Sequence, residues 1–210
     1  MRIIREEASF YITGIVILTL GIALTIQSRL GASPFDALLV GLYRTFGATV
    51  GTWEIVVGLT MVIGNALAQK CRPEYSALIT SFITGMGIDF WLFSLRNWMI
   101  PTTIIEQFLC LFFGMLFTGI GVATYLQSKI APNPMDRSML IITDLTGWGV
   151  TYSRALISII LVIAAFVFGG AIGIGTLLNA LLSAVLINYF LPHARTCKRK
   201  LQQRVRKLAS

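Results

Sequence analysis

Residues 27–36 read QSRLGASPFD, and residues 127–136, at a shift of 100, read QSKIAPNPMD. The identical pairs in this stretch include polar residues, so a shared apolar composition does not explain the match. The same shift aligns further small residues: Gly14 with Gly114, Gly21 with Gly121, Ala23 with Ala123 and Gly47 with Gly147. The chain therefore contains an internal duplication of a unit of about one hundred residues.

The composition of the chain places most of it in a lipid bilayer. The 210 residues are 56% hydrophobic and 12% charged, with a mean hydropathy of +0.79, whereas a soluble domain needs more polar surface to cover its core. Long apolar runs predict membrane spans, and they cover 8–26, 52–68, 76–93, 107–126, 155–174 and 176–191. The predicted fold is an all-α, polytopic membrane helix bundle of about six transmembrane helices.

Two shorter helix-like segments, 33–46 and 133–145, follow the first and fourth runs. At 1.5 Å per residue, each reaches roughly 20 Å, which is short of a hydrocarbon core of about 30 Å. Each repeat thus holds three spans and one short helix that does not cross. Because three is odd, the second repeat enters the membrane from the opposite face, as in the inverted repeats of secondary transporters. A duplication that only doubles a stable bundle is the alternative.

Basic residues predict the topology. With both termini in the cytoplasm, the inner side holds Arg2, Arg5, Lys70, Arg72, Lys129, Arg137, Arg154 and the C-terminal tail, and the outer side holds Arg29, Arg44 and Arg96. The predicted units are a first repeat over 1–100, a second repeat over 101–194 and a basic cytoplasmic tail over 195–210. Because the tail follows a span directly and carries no acid, we expect it to meet anionic lipid headgroups of the bilayer and no nucleic acid.

The motif Ser/Asn-Pro-x-Asp opens both short segments. Locally it is a helix start, with an N-cap, a proline at the first helical position and an acid at the third, and it occurs as Ser33, Pro34, Asp36 and as Asn133, Pro134, Asp136. If the short helices re-enter the membrane, both acids approach its centre, where ionisable groups need a pathway or a partner. Arg29 and Lys129 are the candidate partners. Paired acids favour a cation or proton, whereas bare helix N-termini favour an anion, and both interpretations stay open.

Three other polar positions stand out in the apolar runs. Asp89 is interpreted as a polar contact near the outer end of the third span, reaching Arg96, with an ion-coupling site as the alternative. Gln27 and Gln127 are expected to tie helices together by hydrogen bonds. The glycines Gly14, Gly21, Gly114 and Gly121 are spaced seven apart in pairs, which predicts close helix packing between the repeats.

The reactive residues do not form a recognisable catalytic or metal site. Cys71, Cys110 and Cys197 are scattered, and His193 is the single histidine, whereas a zinc site needs about four converging ligands. The sequence has no GxSxG, Walker or HExxH motif. We therefore expect no cofactor, no metal and no enzymatic activity.

The string LGASPFDALLVGL over 30–42, followed by Gly47, the tripeptide Gly51-Thr52-Trp53 and a third run with Gly87-Ile88-Asp89, resembles the YczE/YyaS/YitT family of bacterial integral membrane proteins. The resemblance covers nearly the whole chain and is strongest for the YczE-like branch. It implies a multi-pass protein of the bacterial cytoplasmic (inner) membrane and no particular substrate. Pro132 and Asn133 replace Ala32 and Ser33 in the second repeat, which argues against strict equivalence of the two copies.

These features favour a small transporter or permease of an unknown small solute or ion, with its site where the repeats meet. The residues expected to line that pathway are Asp36 and Asp136, followed by Arg29, Lys129 and Asp89. The alternative is an accessory or scaffold membrane protein that transports nothing and supports another membrane or biosynthetic system. Six short spans leave little interior, which is compatible with a homodimer.

Overall fold

The computed structural model of the chain describes residues 2–128, 130 and 133–207, with side chains for all of these except 2–6, 136, 150, 202 and 204–207. Within that part, the chain forms eight α-helices and no strand. In order they are α1 (Arg2–Gln27), α2 (Pro34–Phe46), α3 (Val50–Gln69), α4 (Tyr75–Leu95), α5 (Ile104–Tyr125), α6 (Pro134–Thr146), α7 (Val150–Val167) and α8 (Ile174–Lys207).

Five of these helices, α1, α3, α4, α5 and α8, are long and apolar enough to cross a membrane, and α7 contains a shorter apolar stretch, Thr151–Val167. The fifth predicted run, 155–174, is therefore displaced. The helix begins at Val150 and ends at Val167, and the residues up to Gly173 form the turn into α8. Gly169 has a φ of 65°, a left-handed conformation that ends a helix and suits glycine.

Large apolar side chains cover the outside of the bundle. Phe93 is 79% exposed and Phe166 is 78% exposed, and many other aromatic and branched side chains share this position. Such a surface would drive aggregation in water but is solvated by lipid. Together with the span lengths, it confirms the predicted polytopic helical membrane bundle.

The central pair of helices is α1 and α5, which touch through glycines. A Cβ atom on Gly14 would overlap the main chain of Tyr125, and a Cβ atom on Gly121 would overlap the main chain of Leu18. From Gly14 to Leu18 the contacts advance along α1, whereas on α5 they go back from Tyr125 to Gly121. The two helices therefore run antiparallel. The close packing predicted for the glycines is confirmed, because only a residue without a side chain allows backbones to approach this closely.

The other helices surround this pair in matched positions. α4 packs on α1 as α8 packs on α5, and α7 packs on α2 as α6 packs on α3. One pairing has no equal counterpart: α3 packs closely on α4, whereas α7 and α8 make little contact within the described residues. The second repeat is thus more open than the first.

The two short helices begin as their motif predicts. Proline occupies the first turn of each; the Ser33 hydroxyl accepts the main-chain N–H of Asp36 at 3.2 Å, and the Asn133 side chain accepts that of Met135 at 3.1 Å. Every residue of α2 from Pro34 to Leu42 is buried. A helix buried on all sides lies inside the protein and not on its surface, so α2 is an internal element of the bundle.

Candidate functional site

Asp36, in the first turn of α2, is one of two buried acidic residues in the described part of the chain. Its side chain is 6% exposed, and its Oδ2 atom accepts a hydrogen bond from the Ser33 hydroxyl at 2.5 Å. The main-chain N–H groups at the start of α2 give this helix end a partial positive charge, which stabilises a carboxylate placed there. Local capping therefore explains the orientation of Asp36, but it supplies no cation to balance a buried carboxylate.

The second buried acid is Glu54 in α3, a residue that sequence reasoning missed. Its side chain is 1% exposed, and its Oε1 atom has no hydrogen-bond partner among the described residues. Helix α2, which carries Asp36, packs on α3, and the electrostatic effect of Asp36 on Glu54 is repulsive. Glu54 follows the start of α3 by four residues, roughly 6 Å, and it belongs to no motif that the sequence analysis singled out. Comparison of the repeats could have identified Glu54, because the equivalent position in the second repeat is the basic Arg154.

Helix α4 forms a hydroxyl-bearing wall opposite Glu54. A Cβ atom on Gly51 would overlap the main-chain oxygen of Gly85, and one on Gly58 would overlap the Ser81 side chain. Glu54 lies one turn from each glycine on the same buried face of α3. It therefore faces the segment of α4 that carries Ser81 and Thr84, each 1% exposed with a hydroxyl that has no partner among the described residues.

Helix α6 begins beside the middle of α3. The Cγ atom of Pro134 lies 3.7 Å from the place a Cβ atom on Gly58 would occupy, and Gly58 is roughly 12 Å from the start of α3. The Asn65 side chain lies 3.5 Å from the Pro134 carbonyl and accepts a 2.9 Å hydrogen bond from Ser138. The start of the second short helix thus reaches the same α3–α4 interface as Glu54.

A narrow crevice of about 10 Å³ lies along this junction. Its walls come from α3, the α3–α4 turn and α6, and they include Asn65, Arg72 and Pro134. Arg137 and Glu74 also line it and form an ion pair of 2.6 Å. This pair joins α6 to the start of α4.

The structure does not bring all the predicted pathway residues together. Arg29 is exposed, in a left-handed turn with φ 60°, whereas Asp36 is buried and bonded to Ser33, so the expected pair of Arg29 with Asp36 is not formed. Lys129 lies outside the described residues. Asp136 occupies the expected position in the first turn of α6, and its side chain also lies outside the described part.

Asp89 has a defined partner, and it is not the one expected. Its carboxylate accepts hydrogen bonds from the Thr49 hydroxyl at 2.6 Å and from the main-chain N–H of Gly51 at 2.8 Å. Arg96 is not among its contacts. The polar-contact interpretation is therefore correct in kind, but Asp89 stabilises the start of α3 instead of meeting a cation, because that helix end presents unpaired N–H groups.

The two glutamines do not act as a matched pair. The Gln127 side chain donates to the carbonyl of Ala123 in its own helix, and among the described residues it makes no bond to another helix. The link between α5 and α8 at this point comes from Lys198, which donates to the main-chain oxygen of Gln127 and lies 3.8 Å from Glu7 of α1. Gln27 is half-buried at the end of α1.

The chemistry available at this junction is that of a small cation or proton site. It combines two carboxyl groups with unpartnered hydroxyls, and carboxylate and hydroxyl oxygens are hard ligands. The described residues contain no group of three or more His, Cys, Asp or Glu side chains that could hold a metal ion. The two carboxyl groups lie within the packed core of the bundle.

Comparison with known proteins gives a family and several relatives. Residues 5–192 match the model of a family described as "Family of unknown function (DUF6198)". The chain is 45% identical over 183 residues to the uncharacterized protein YyaS of Bacillus subtilis, covering 87% of this chain and 91% of that protein. It is 34% identical over 189 residues to the uncharacterized membrane protein YczE of the same organism, covering 89% and 86%.

A more distant relative is an uncharacterized protein of Haemophilus influenzae, 23% identical over 187 residues, covering 89% of this chain and 84% of that protein. No solved structure matches the chain. The resemblance to YczE and YyaS expected from the motif around Asp36 is confirmed, and of these two proteins YyaS has the higher identity. The chain is an integral membrane protein and belongs to the family of unknown function DUF6198.

Proposed function

We propose that the protein is a small transporter or permease that moves a small solute or ion through a site between its two repeats. The observation that carries the proposal is the burial of Asp36 and Glu54 near each other, with an unpartnered carboxylate oxygen and two unpartnered hydroxyls beside them. Ionisable groups inside a membrane bundle are costly, so they persist where they serve a pathway. The proposed activity is movement of a solute, not catalysis.

The proposal includes an inverted arrangement of the repeats. Support comes from the glycine contacts, which are reciprocal: Gly14 meets Tyr125 as Gly114 meets Thr25, and Gly21 meets Thr118 as Gly121 meets Leu18. Each pair of contacts is exchanged by a shift of 100, and α1 and α5 are antiparallel. A two-fold axis perpendicular to both helices has this property, and in a spanning pair such an axis lies in the membrane plane.

The proposed orientation places both termini on the cytoplasmic face of the bacterial inner membrane. The basic residues support it, because the C-terminal segment from Arg195 onward carries seven positive charges and no acid. α8 continues as one helix into that segment, and in this orientation the segment would lie next to anionic headgroups. In this orientation the Arg137–Glu74 pair lies at the cytoplasmic end of the crevice.

The test is uptake into proteoliposomes that contain the purified full chain. The probes are a radiolabelled sugar, an amino acid, an organic cation and an organic anion, each offered with a pH gradient, with a Na⁺ gradient and with neither. We expect one probe class to enter faster than into protein-free liposomes, and Asp36→Asn and Glu54→Gln to remove the excess. Asp144→Asn, a change to an exposed acid of α6, should leave it intact.

A result in which no probe enters faster under any gradient would favour the accessory interpretation. Asp36→Asn and Glu54→Gln variants that fold, as judged by size-exclusion chromatography, but transport at the full rate would also contradict the proposed site.

A further inference from the structure

We propose that Glu54 carries one exchangeable proton, that the buried carboxylate of Asp36 favours this protonation, and that the proton is the ion that drives transport. The inference deepens the proposed function and rests on it for the coupling step. It gives Glu54, a residue outside the sequence motif, the role of proton carrier, with Asp36 as its partner.

Charge balance is the first reason. Two ionised carboxylates in a low-dielectric interior repel each other and lose hydration, and both costs vanish for one of them when it binds a proton. Among the described residues, the ion pairs are Arg137 with Glu74 and Lys198 with Glu7, so neither buried acid has a bonded cation. A proton on Glu54 leaves a single negative charge on Asp36, which the Ser33 hydroxyl and the start of α2 can stabilise.

The unpartnered groups beside Glu54 are the second reason. A hydroxyl can donate to an ionised carboxylate and can accept from a protonated one. Ser81 and Thr84 lie on the segment of α4 that packs against α3 around Glu54, and their hydroxyls have no other partner among the described residues. A group that must gain and lose a proton needs such neighbours, whereas a purely structural acid would have its oxygen satisfied.

None of the other described ionisable groups on the surrounding helices bonds to Asp36 or Glu54. On α4, Asp89 is bonded to the start of α3; on α6, Arg137 is paired with Glu74 and Asp144 is exposed; on α2, Arg44 and Tyr43 are exposed at the far end. On α7, which packs on α2, Tyr152 is exposed and Arg154 is half-buried with no bond to either acid. α8 carries no ionisable group before Tyr189, and the Asp136 side chain lies outside the described part.

A proton fits the geometry better than a metal cation. A bound Na⁺ needs a shell of several oxygen ligands around a cavity of its own size, as other hard cations do, whereas the α3–α4 wall at Glu54 is closed by the Gly51–Gly85 and Gly58–Ser81 contacts. A proton needs one oxygen atom, and Oε1 of Glu54 is available.

The test is infrared difference spectroscopy of the purified full chain in nanodiscs, titrated with pH. A protonated carboxyl group has a carbonyl stretch that a carboxylate lacks, and this band shifts in heavy water. We expect the wild type to show the band at neutral pH, Glu54→Gln to lose it, and Asp144→Asn to keep it. In Asp36→Asn the band should vanish at a lower pH than in the wild type, because the repulsion that favours protonation is gone.

Absence of the band at neutral pH, or its persistence in folded Glu54→Gln, would overturn the proposal, as would its displacement by NaCl but not by choline chloride at constant pH. If Glu54→Gln does not fold, the proposal is tested by Asp36→Asn alone: a band that vanishes at the same pH as in the wild type, or at a higher pH, would overturn it. The band and the uptake assay fail independently: uptake without the band removes only the proton site, and the band without uptake of any probe removes its role in transport.

Discussion

Two acids in apolar surroundings, Asp36 and Asp89, have different roles at the scale of single residues. Asp36 is buried at the start of its own helix and lies near a second carboxyl group. Asp89 lies near the end of α4 and bonds to Thr49 and Gly51 at the start of α3. The polar atoms that Asp89 contacts belong to a helix terminus, which accounts for its position, whereas neither Asp36 nor Glu54 has a bonded cation among the described residues.

Asp89→Ala tests this distinction through stability. The change leaves the Gly51 N–H and the Thr49 hydroxyl without their acceptor, and a lost partner of this kind costs about 1–3 kcal/mol. We expect a lower free energy of unfolding in mixed detergent micelles, followed by tryptophan fluorescence, and unchanged uptake per folded molecule. Asp89→Asn should lose less, because it keeps an oxygen acceptor, and Asp144→Ala is the control. Full stability with abolished uptake would instead make Asp89 a coupling residue.

At the scale of the helices, local sequence and packing contribute separately. The starts of α2 and α6 follow from Ser33-Pro34 and Asn133-Pro134, because capping involves residues only two or three positions apart. The end of α7 was predicted too late, because apolar residues continue through Ala171 and Ile172 while the backbone turns at Gly169. The residues of this turn are apolar because α2 packs against them, so the hydropathy pattern does not show where α7 ends.

Gly121→Ala, compared with Gly64→Ala, tests the packing of α1 against α5. A Cβ atom at Gly121 would overlap the main chain of Leu18, which cannot move as a flexible side chain does, whereas a Cβ atom at Gly64 meets nothing. We expect Gly121→Ala to destabilise the protein by about 1–3 kcal/mol or more and to lower its yield. Gly64→Ala should be neutral or stabilise by up to about 1 kcal/mol through helix propensity. Equal stability of the two variants would mean that α1 and α5 are not packed this closely.

At the scale of the whole molecule, the two repeats have the same helix order but different packing. α2 is buried through Leu42, whereas among the described side chains of α6 only Pro134 and Ile141 are buried. α3 packs closely on α4, whereas the equivalent helices α7 and α8 make little contact within the described residues. The acid Glu54 has a base, Arg154, at the equivalent position. The repeats therefore differ at the site itself, in line with the inequivalence that Pro132 and Asn133 indicate.

Cysteine labelling of the whole protein tests the inverted topology. With Cys71, Cys110 and Cys197 removed, single cysteines replace Thr45 and Thr146, exposed residues near the ends of α2 and α6. A membrane-impermeant maleimide should label Thr45→Cys from outside the cell and Thr146→Cys only in inside-out vesicles. A separate variant that keeps only Cys71, exposed in the α3–α4 turn, provides a control that should react only in inside-out vesicles. Labelling of both engineered cysteines from one side would contradict the inverted repeats.

The sequence by itself determined the helical membrane fold and the two capped short helices, and it predicts the duplication from the match at a shift of 100. These follow from composition, from matching residues and from interactions between residues close together in the chain, none of which depends on how the helices pack. Only the tertiary structure decided that Glu54 is buried beside Asp36, that Asp89 serves α3, and that Arg29 stays exposed. Burial and pairing depend on which helix packs against which face, and residues 18 or more positions apart in sequence, such as Asp36 and Glu54, come together only through that packing.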